Sequence, residues 1–109
     1  MRGAKILVVD DNIPDARLCQ MLLEQHNFFV VETTDPRKAL DCLKSQRFDL
    51  LLVDIYLPHI DGFELISQAK VLQPGLAVLV MTGFGTVQTG IQALQRGVDG
   101  LILKPFDTS

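Results

Sequence analysis

Leu50-Leu51-Leu52-Val53-Asp54 is four apolar residues running straight into a carboxylate, with Ile55-Tyr56-Leu57-Pro58 behind it. A short unbroken apolar run reads as a strand buried on both faces, as in a parallel sheet with helices on each side. Asp54 then stands where the strand ends, and in open α/β sheets the ligand crevice lies outside the carboxyl ends of the strands. A single carboxylate in that place is more often a turn or helix-capping residue. The weight given to Asp54 therefore depends on what the other apolar runs end in.

Working outward, Lys5–Val9 reads as a first strand, apolar and β-branched, ending in Asp10-Asp11. Asn12-Ile13-Pro14 opens a helix, with Asn12 as N-cap and Pro14 in the first turn, where its missing N–H costs nothing. That helix runs to about Gln25 on the stripe Ala16, Cys19, Leu22, Leu23. A second strand is expected over Phe28–Glu32. A second helix follows, capped by Asp35 with Pro36 at its first position and ending near Ser45. The third strand spans Phe48–Val53. After the loop 58–62, Phe63, Ile66, Ala69 and Val71-Leu72 mark a third helix, stopped by Pro74-Gly75. Leu76–Met81 is a fourth strand. Gly83-Phe84-Gly85 precedes a fourth helix, expected over Thr86–Arg96 with Gly97 as its stop. Gly100–Leu103 is a fifth strand, ending in Lys104-Pro105.

Strands alternating with helices over short connections predict a doubly wound α/β fold: a parallel sheet with right-handed crossovers and helices on both faces. A fifth helix should follow strand five, and Phe106-Asp107-Thr108-Ser109 looks like its beginning. Residues 1–109 are thus expected to form a single domain that is truncated, or that continues into an absent fifth helix and an output region.

The 109 residues suffice for one core and not for two. The chain is 48% hydrophobic and 21% charged, ordinary for a globular protein. A net charge of -3 and no run of Lys or Arg argue against direct nucleic-acid binding in this segment. Nothing approaches the roughly 20 apolar residues of a membrane helix, and Ile6-Leu7-Val8-Val9 is too short for a signal peptide. Cys19 and Cys42 match no metal spacing and read as reduced, partly buried thiols. The expected location is cytoplasmic, with no membrane association.

The ends of the expected strands collect one chemistry. Strand one supplies Asp10 and Asp11, strand three Asp54, strand four Thr82 and strand five Lys104; strand two supplies only Thr33 and Thr34. Three carboxylates on one rim repel unless something positive sits among them. A hard divalent cation answers that, and Mg²⁺ commonly binds through one or two carboxylates plus a phosphate. Lys104 can meet a phosphate as a point charge, and Thr82 offers a hydroxyl donor. A carboxylate nucleophile, cations and donors are the parts that phosphoryl transfer requires. Each residue alone could be turn punctuation; together, in this topological order, they read as a site.

Asp10-Asp11, Asp54 with Leu57-Pro58 and Asp61-Gly62, Met81-Thr82-Gly83 and Lys104-Pro105-Phe106 resemble the receiver domain of two-component response regulators. The likeness covers the whole chain except the absent fifth helix. It implies a flavodoxin-like receiver fold with strand order 2-1-3-4-5. It implies Asp54 as phosphoacceptor, loaded by a sensor histidine kinase or a phosphotransfer protein. Mg²⁺ would be ligated by Asp11, Asp54 and the backbone carbonyl of Tyr56, with Asp10 acting mainly through bound water. Thr82 and Lys104 would contact phosphoryl oxygens. The domain would be a signalling module and no enzyme beyond its own phosphorylation and dephosphorylation. Its further partners would be an output domain, or a second copy through the helix-four/strand-five region.

One departure stands out. Many receivers carry Tyr or Phe three residues before the lysine; here that residue is Leu101. Readout by an aromatic ring is replaced, on this reading, by repacking of helix four, where Gly90 weakens the helix by about 1 kcal/mol relative to Ala. Tyr56 and Phe84 would screen a phosphoaspartate from water, or merely pack their loops. His59 reads as an exposed loop residue, and His26 as a cation favoured at a helix C-terminus. Three competing functions are weighed. A free-standing phosphatase would need a cap domain that this length lacks, and a flavin module would need a phosphate-cradling loop where Asp10-Asp11-Asn12 stands. A degenerate receiver acting as a phosphorylation-independent interaction module should lack at least one of the five residues.

Overall fold

The structure, a computed structural model, describes residues 3–54, 62–82, 95 and 97–103. Five strands, β1 (Lys5–Val9), β2 (Phe29–Thr33), β3 (Leu50–Asp54), β4 (Ala77–Thr82) and β5 (Gly100–Leu103), form one parallel sheet in the order β2-β1-β3-β4-β5. Three helices, α1 (Ile13–Gln25), α2 (Pro36–Ser45) and α3 (Gly62–Leu72), are described. The expected fourth helix and the residues after Leu103 lie outside the described residues.

The alternation of side chains along each strand explains why the runs are apolar throughout. Leu7, Val9, Leu51, Val53, Val78 and Val80 point to one face, where Ala39 and Leu43 of α2 and Leu65, Ile66 and Ala69 of α3 complete the core. Ile6, Val8, Leu52 and Met81 point to the other, against Cys19 and Leu23 of α1. Most of these side chains are under 6% exposed. Cys19 and Cys42 are both free thiols, the first buried and the second half-buried. Gly100 pairs with Leu79 in register, and a Cβ there would come within 2.8 Å of a Leu79 methyl; a glycine lets the two strands sit together without displacing that methyl.

Three strand boundaries differ from expectation, each because a backbone group is already engaged. Phe28 closes α1 instead of opening β2: its N–H donates to Leu23 O (3.3 Å) and that of Asn27 to Glu24 O (3.0 Å). Together with Asn27 at φ 67°, this is a Schellman ending in which Asn takes the left-handed position that usually falls to glycine. Phe48 precedes β3 because its N–H donates to Gln73 Oε1 (3.0 Å). Leu76 precedes β4 because its N–H closes a turn onto Gln73 O (3.0 Å). At their other ends β2, β3 and β4 each run one residue further than expected, so Thr33 pairs with Val9, Asp54 with Met81 and Thr82 with Leu103.

The starts of α1 and α2 are as expected, while α3 begins at Gly62, one residue earlier than read. Asn12 Oδ1 accepts from Asp15 N–H (3.0 Å) and Asp35 Oδ1 from Arg37 N–H (2.9 Å), with Pro14 and Pro36 in the first turns. His26 is the exposed C-cap of α1. Gly97 has φ 80°, the conformation of a helix-stopping glycine.

The amino-terminal end of the sheet is tied by side chains. Asp49 Oδ2 accepts from Lys5 N–H (2.8 Å), and Asp99 Oδ2 from Val78 N–H (2.7 Å). The Lys5 ammonium lies over the Phe48 ring, 5.0 Å from its centre, and donates to Gln46 Oε1. Lys70 at the end of α3 donates to Gly97 O (2.8 Å), which anchors the approach to β5. Asp10 and Asp54 stand at the opposite, carboxyl end of the strands.

Candidate functional site

Parallel register places the site. Val9 of β1 lies beside Val53 of β3, so the residues that follow them, Asp10 and Asp54, come side by side on the α1 face. Asp10 is still held by the sheet, its N–H donating to Thr33 O of β2 (3.2 Å). Asp54 is the last residue of β3. Asp10 is fully buried, Asp54 is 6% exposed, and Asp11, one residue into the loop, is exposed. One oxygen from each of the three carboxylates lies within 4.8 Å of the others.

Two ionised carboxylates at that separation repel by roughly 3.5 kcal/mol at the effective dielectric constant of about 20 that suits partly buried sites. Packing two buried acids so closely is costly unless positive charge is supplied, and a third acid at the mouth leaves a route from solvent. The donor set is all oxygen, with no His or Cys, which suits a hard divalent cation and not zinc or copper. Beside Asp54 on β4, its register partner Met81 is fully buried, with its sulfur 3.9 Å from Cys19 Sγ.

The aim of Asp10 is set locally. Its Oδ1 accepts the main-chain N–H of Asn12 (2.9 Å). The Asn12 side chain in turn caps α1 through Asp15, and its carbonyl accepts the N–H of Ala16 (3.0 Å). The path from the carboxylate into the first turn of the helix is therefore continuous.

A family model described as "Response regulator receiver domain" matches residues 6–109. The chain belongs to that receiver family. Among curated proteins, the receiver is similar to the transcriptional regulatory protein ZraR of Escherichia coli K12, 36% identical over 94% of this chain and 23% of the relative. It is also 32% identical to the response regulator protein FleR of Pseudomonas aeruginosa, over 96% of this chain and 22% of that one. The chain thus spans about a quarter of the length of these relatives. Among solved structures, it resembles a response regulator from Burkholderia pseudomallei described with a phosphorylated aspartic acid, calcium ion and citrate. That similarity has TM-score 0.88 and 30% identity, over 96% of this chain and 62% of that one. Vibrio cholerae CheY4 gives TM-score 0.89 at 26% identity, over 96% and 89%.

The receiver's site residues divide by where they fall. Asp10, Asp11 and Asp54 are brought together. Thr82 ends β4 one rung beyond Asp54 and Met81, with Leu103 beside it. Lys104 and Tyr56 lie outside the described residues, as do His59, Phe84 and Gly90. Leu101, where many receivers have an aromatic ring, is half-buried and packed against the core on the α2/α3 face. Sequence reading passed over Thr33 as lacking chemistry; its carbonyl steadies the main chain of Asp10. The only sequence signal for that contact is the strand register, which no local pattern reveals. No helix among the described residues is long and apolar enough to cross a membrane.

Proposed function

We propose that this receiver accepts a phosphoryl group on Asp54 from the phosphohistidine of a sensor histidine kinase or phosphotransfer protein. One Asp54 carboxylate oxygen attacks phosphorus, the P–N bond breaks, and the imidazole nitrogen leaves with the bonding pair and takes up a proton. The loss of signal is the reverse in kind: a water oxygen attacks phosphorus, the P–O bond to Asp54 breaks, and phosphate leaves. Asp11, Asp54 and the Tyr56 carbonyl would hold Mg²⁺ directly and Asp10 through water; the ion would supply charge neutralisation for the phosphoryl oxygens. Thr82 donates its hydroxyl and Lys104 its ammonium to the same oxygens. Burial keeps bulk water from competing with the nucleophile.

The observation that carries this reading is the close set of three carboxylates, two of them buried, at the carboxyl edge of the sheet. Family membership adds weight, since the chain matches over residues 6–109. Keeping all three acids does not favour a degenerate interaction module. Residues 1–109 act as one receiver domain of a cytoplasmic protein whose remaining length holds an output region, as the regulatory names of its longer relatives suggest.

The test is incubation with acetyl phosphate and Mg²⁺ followed by intact-mass measurement. The expected result is a gain of one phosphoryl group that requires Mg²⁺ and is absent in Asp54→Asn. A gain that persists in Asp54→Asn, or none in the wild type, would overturn the assignment.

A further inference from the structure

We propose that Asn12 is a positioning residue for the metal site, which makes the N-terminal cap of α1 and the aim of the Asp10 carboxylate a single structural event. This rests on the reading that Asp10, Asp11 and Asp54 hold the cation. Asn12 does two separate jobs with two separate groups. Its side-chain Oδ1 accepts the N–H of Asp15 at 3.0 Å, and its main-chain N–H donates to Asp10 Oδ1 at 2.9 Å. The first bond fixes the backbone of Asn12 at φ -90°, ψ 109°, the extended conformation a cap requires. In that conformation, the amide points back at the carboxylate two residues earlier. Without the cap, the amide is free to turn away, and the buried acid loses that donor.

The main chain of Asp10 is tied to Thr33 O, and the Asn12 N–H acts on its carboxylate. Asn12 lies on the exposed surface and contributes no atom to the core, so replacing it does not disturb packing. The coupling runs both ways, because two linked events shift each other by the same factor. A cation that orders Asp10 should therefore tighten the first turn of α1, and a better cap should tighten cation binding.

The experiment is Mg²⁺ titration by calorimetry of the wild type, Asn12→Ala, Asn12→Ser and Asp11→Asn, together with amide exchange at Asp15. Asn12→Ala keeps the main-chain N–H and removes the cap; Asn12→Ser restores a capping oxygen. Supporting groups behind metal ligands commonly carry 10- to 100-fold in affinity. Because Asp10 is expected to act mainly through water, the loss here is set at about 3- to 10-fold in Asn12→Ala, with recovery to within about 2-fold in Asn12→Ser. Exchange at the Asp15 N–H should slow on adding Mg²⁺ in the wild type and not in Asn12→Ala. A purely structural cap would lower the melting temperature of Asn12→Ala and leave its Mg²⁺ affinity unchanged; that result overturns the proposal while leaving the metal site standing. Wild type that binds no Mg²⁺, or Asp11→Asn that binds it as well as wild type, overturns the site reading itself.

Discussion

Gln73 offers the sharpest test of how this sheet is held. It follows α3 and is half-buried, and its amide makes three hydrogen bonds to three separate pieces of backbone. Nε2 donates to Leu43 O (2.8 Å) and Gln46 O (2.6 Å), and Oε1 accepts from Phe48 N–H (3.0 Å). One side chain thus joins the end of α2, the approach to β3 and the exit of α3. Gln73→Met keeps the length and removes all three bonds. Their losses are unequal. Gln46 is exposed, so water replaces the amide at its carbonyl for little. The Leu43 carbonyl, at the end of a helix, loses about 1 kcal/mol, the usual net worth of such a bond. Phe48 is only 3% exposed, and a buried N–H without its acceptor costs about 1–3 kcal/mol. The sum is about 2–4 kcal/mol, a large share of the roughly 5–15 kcal/mol that stabilises a domain. In urea unfolding followed by circular dichroism, an m-value near 1.5 kcal/mol/M would turn this into a midpoint lower by about 1.3–2.7 M with m unchanged. Gln73→Glu, which sets a carboxylate against two carbonyls, should be at least as damaging. Neither variant, when folded, should change the response to Mg²⁺ from that of the wild type, because Gln73 and the acid cluster lie at opposite ends of the strands. A loss below about 1 kcal/mol for Gln73→Met would refute the reasoning by showing that solvent reaches all three groups.

Three further outcomes follow from the same structure. Asn27 sits at φ 67°, so Asn27→Gly should raise stability by about 0.5–1 kcal/mol and Asn27→Ala lower it by about 1 kcal/mol, read as opposite shifts in melting temperature. Asp99→Ala takes the acceptor from the N–H of fully buried Val78 and should cost about 1–3 kcal/mol in the same assay, with Asp99→Asn, which keeps an oxygen, losing less. If the three carboxylates hold a cation, Mg²⁺ at 100 times its dissociation constant should stabilise the wild type by about 2.7 kcal/mol and Asp54→Asn much less. A melting temperature insensitive to Mg²⁺ in the wild type would count against the metal site.

The legible part of the fold was the part written in local pattern. Apolar runs such as Leu50–Val53 and Leu76–Met81 can be satisfied only between two helical layers, and Asn12, Asp35, Pro14 and Pro36 announce helix starts through the bonds their own atoms make. The misplaced strand starts at Phe28, Phe48 and Leu76 all come from partners that pattern does not name. Phe28 is claimed by the carbonyl of Leu23, Phe48 by the side chain of Gln73 just past α3, and Leu76 by a turn. In the site, the acids were legible as strand-end residues, while the role of Thr33 was not, because it depends on which strand lies beside β1.

By itself the amino-acid sequence determined that strands and helices alternate, that the runs Leu50–Val53 and Leu76–Met81 are buried on both faces, and that acidic residues terminate the first and third strands. Only the tertiary structure decided that Asp10 and Asp54 stand side by side, because that follows from setting Val9 beside Val53 across a crossover connection. It alone decided that the Asn12 N–H meets the Asp10 carboxylate while the Asn12 side chain caps α1. The physical reason is the same for both. Periodicity and capping are properties of neighbouring residues, whereas register and side-chain clasps are fixed by how two packed layers share one core.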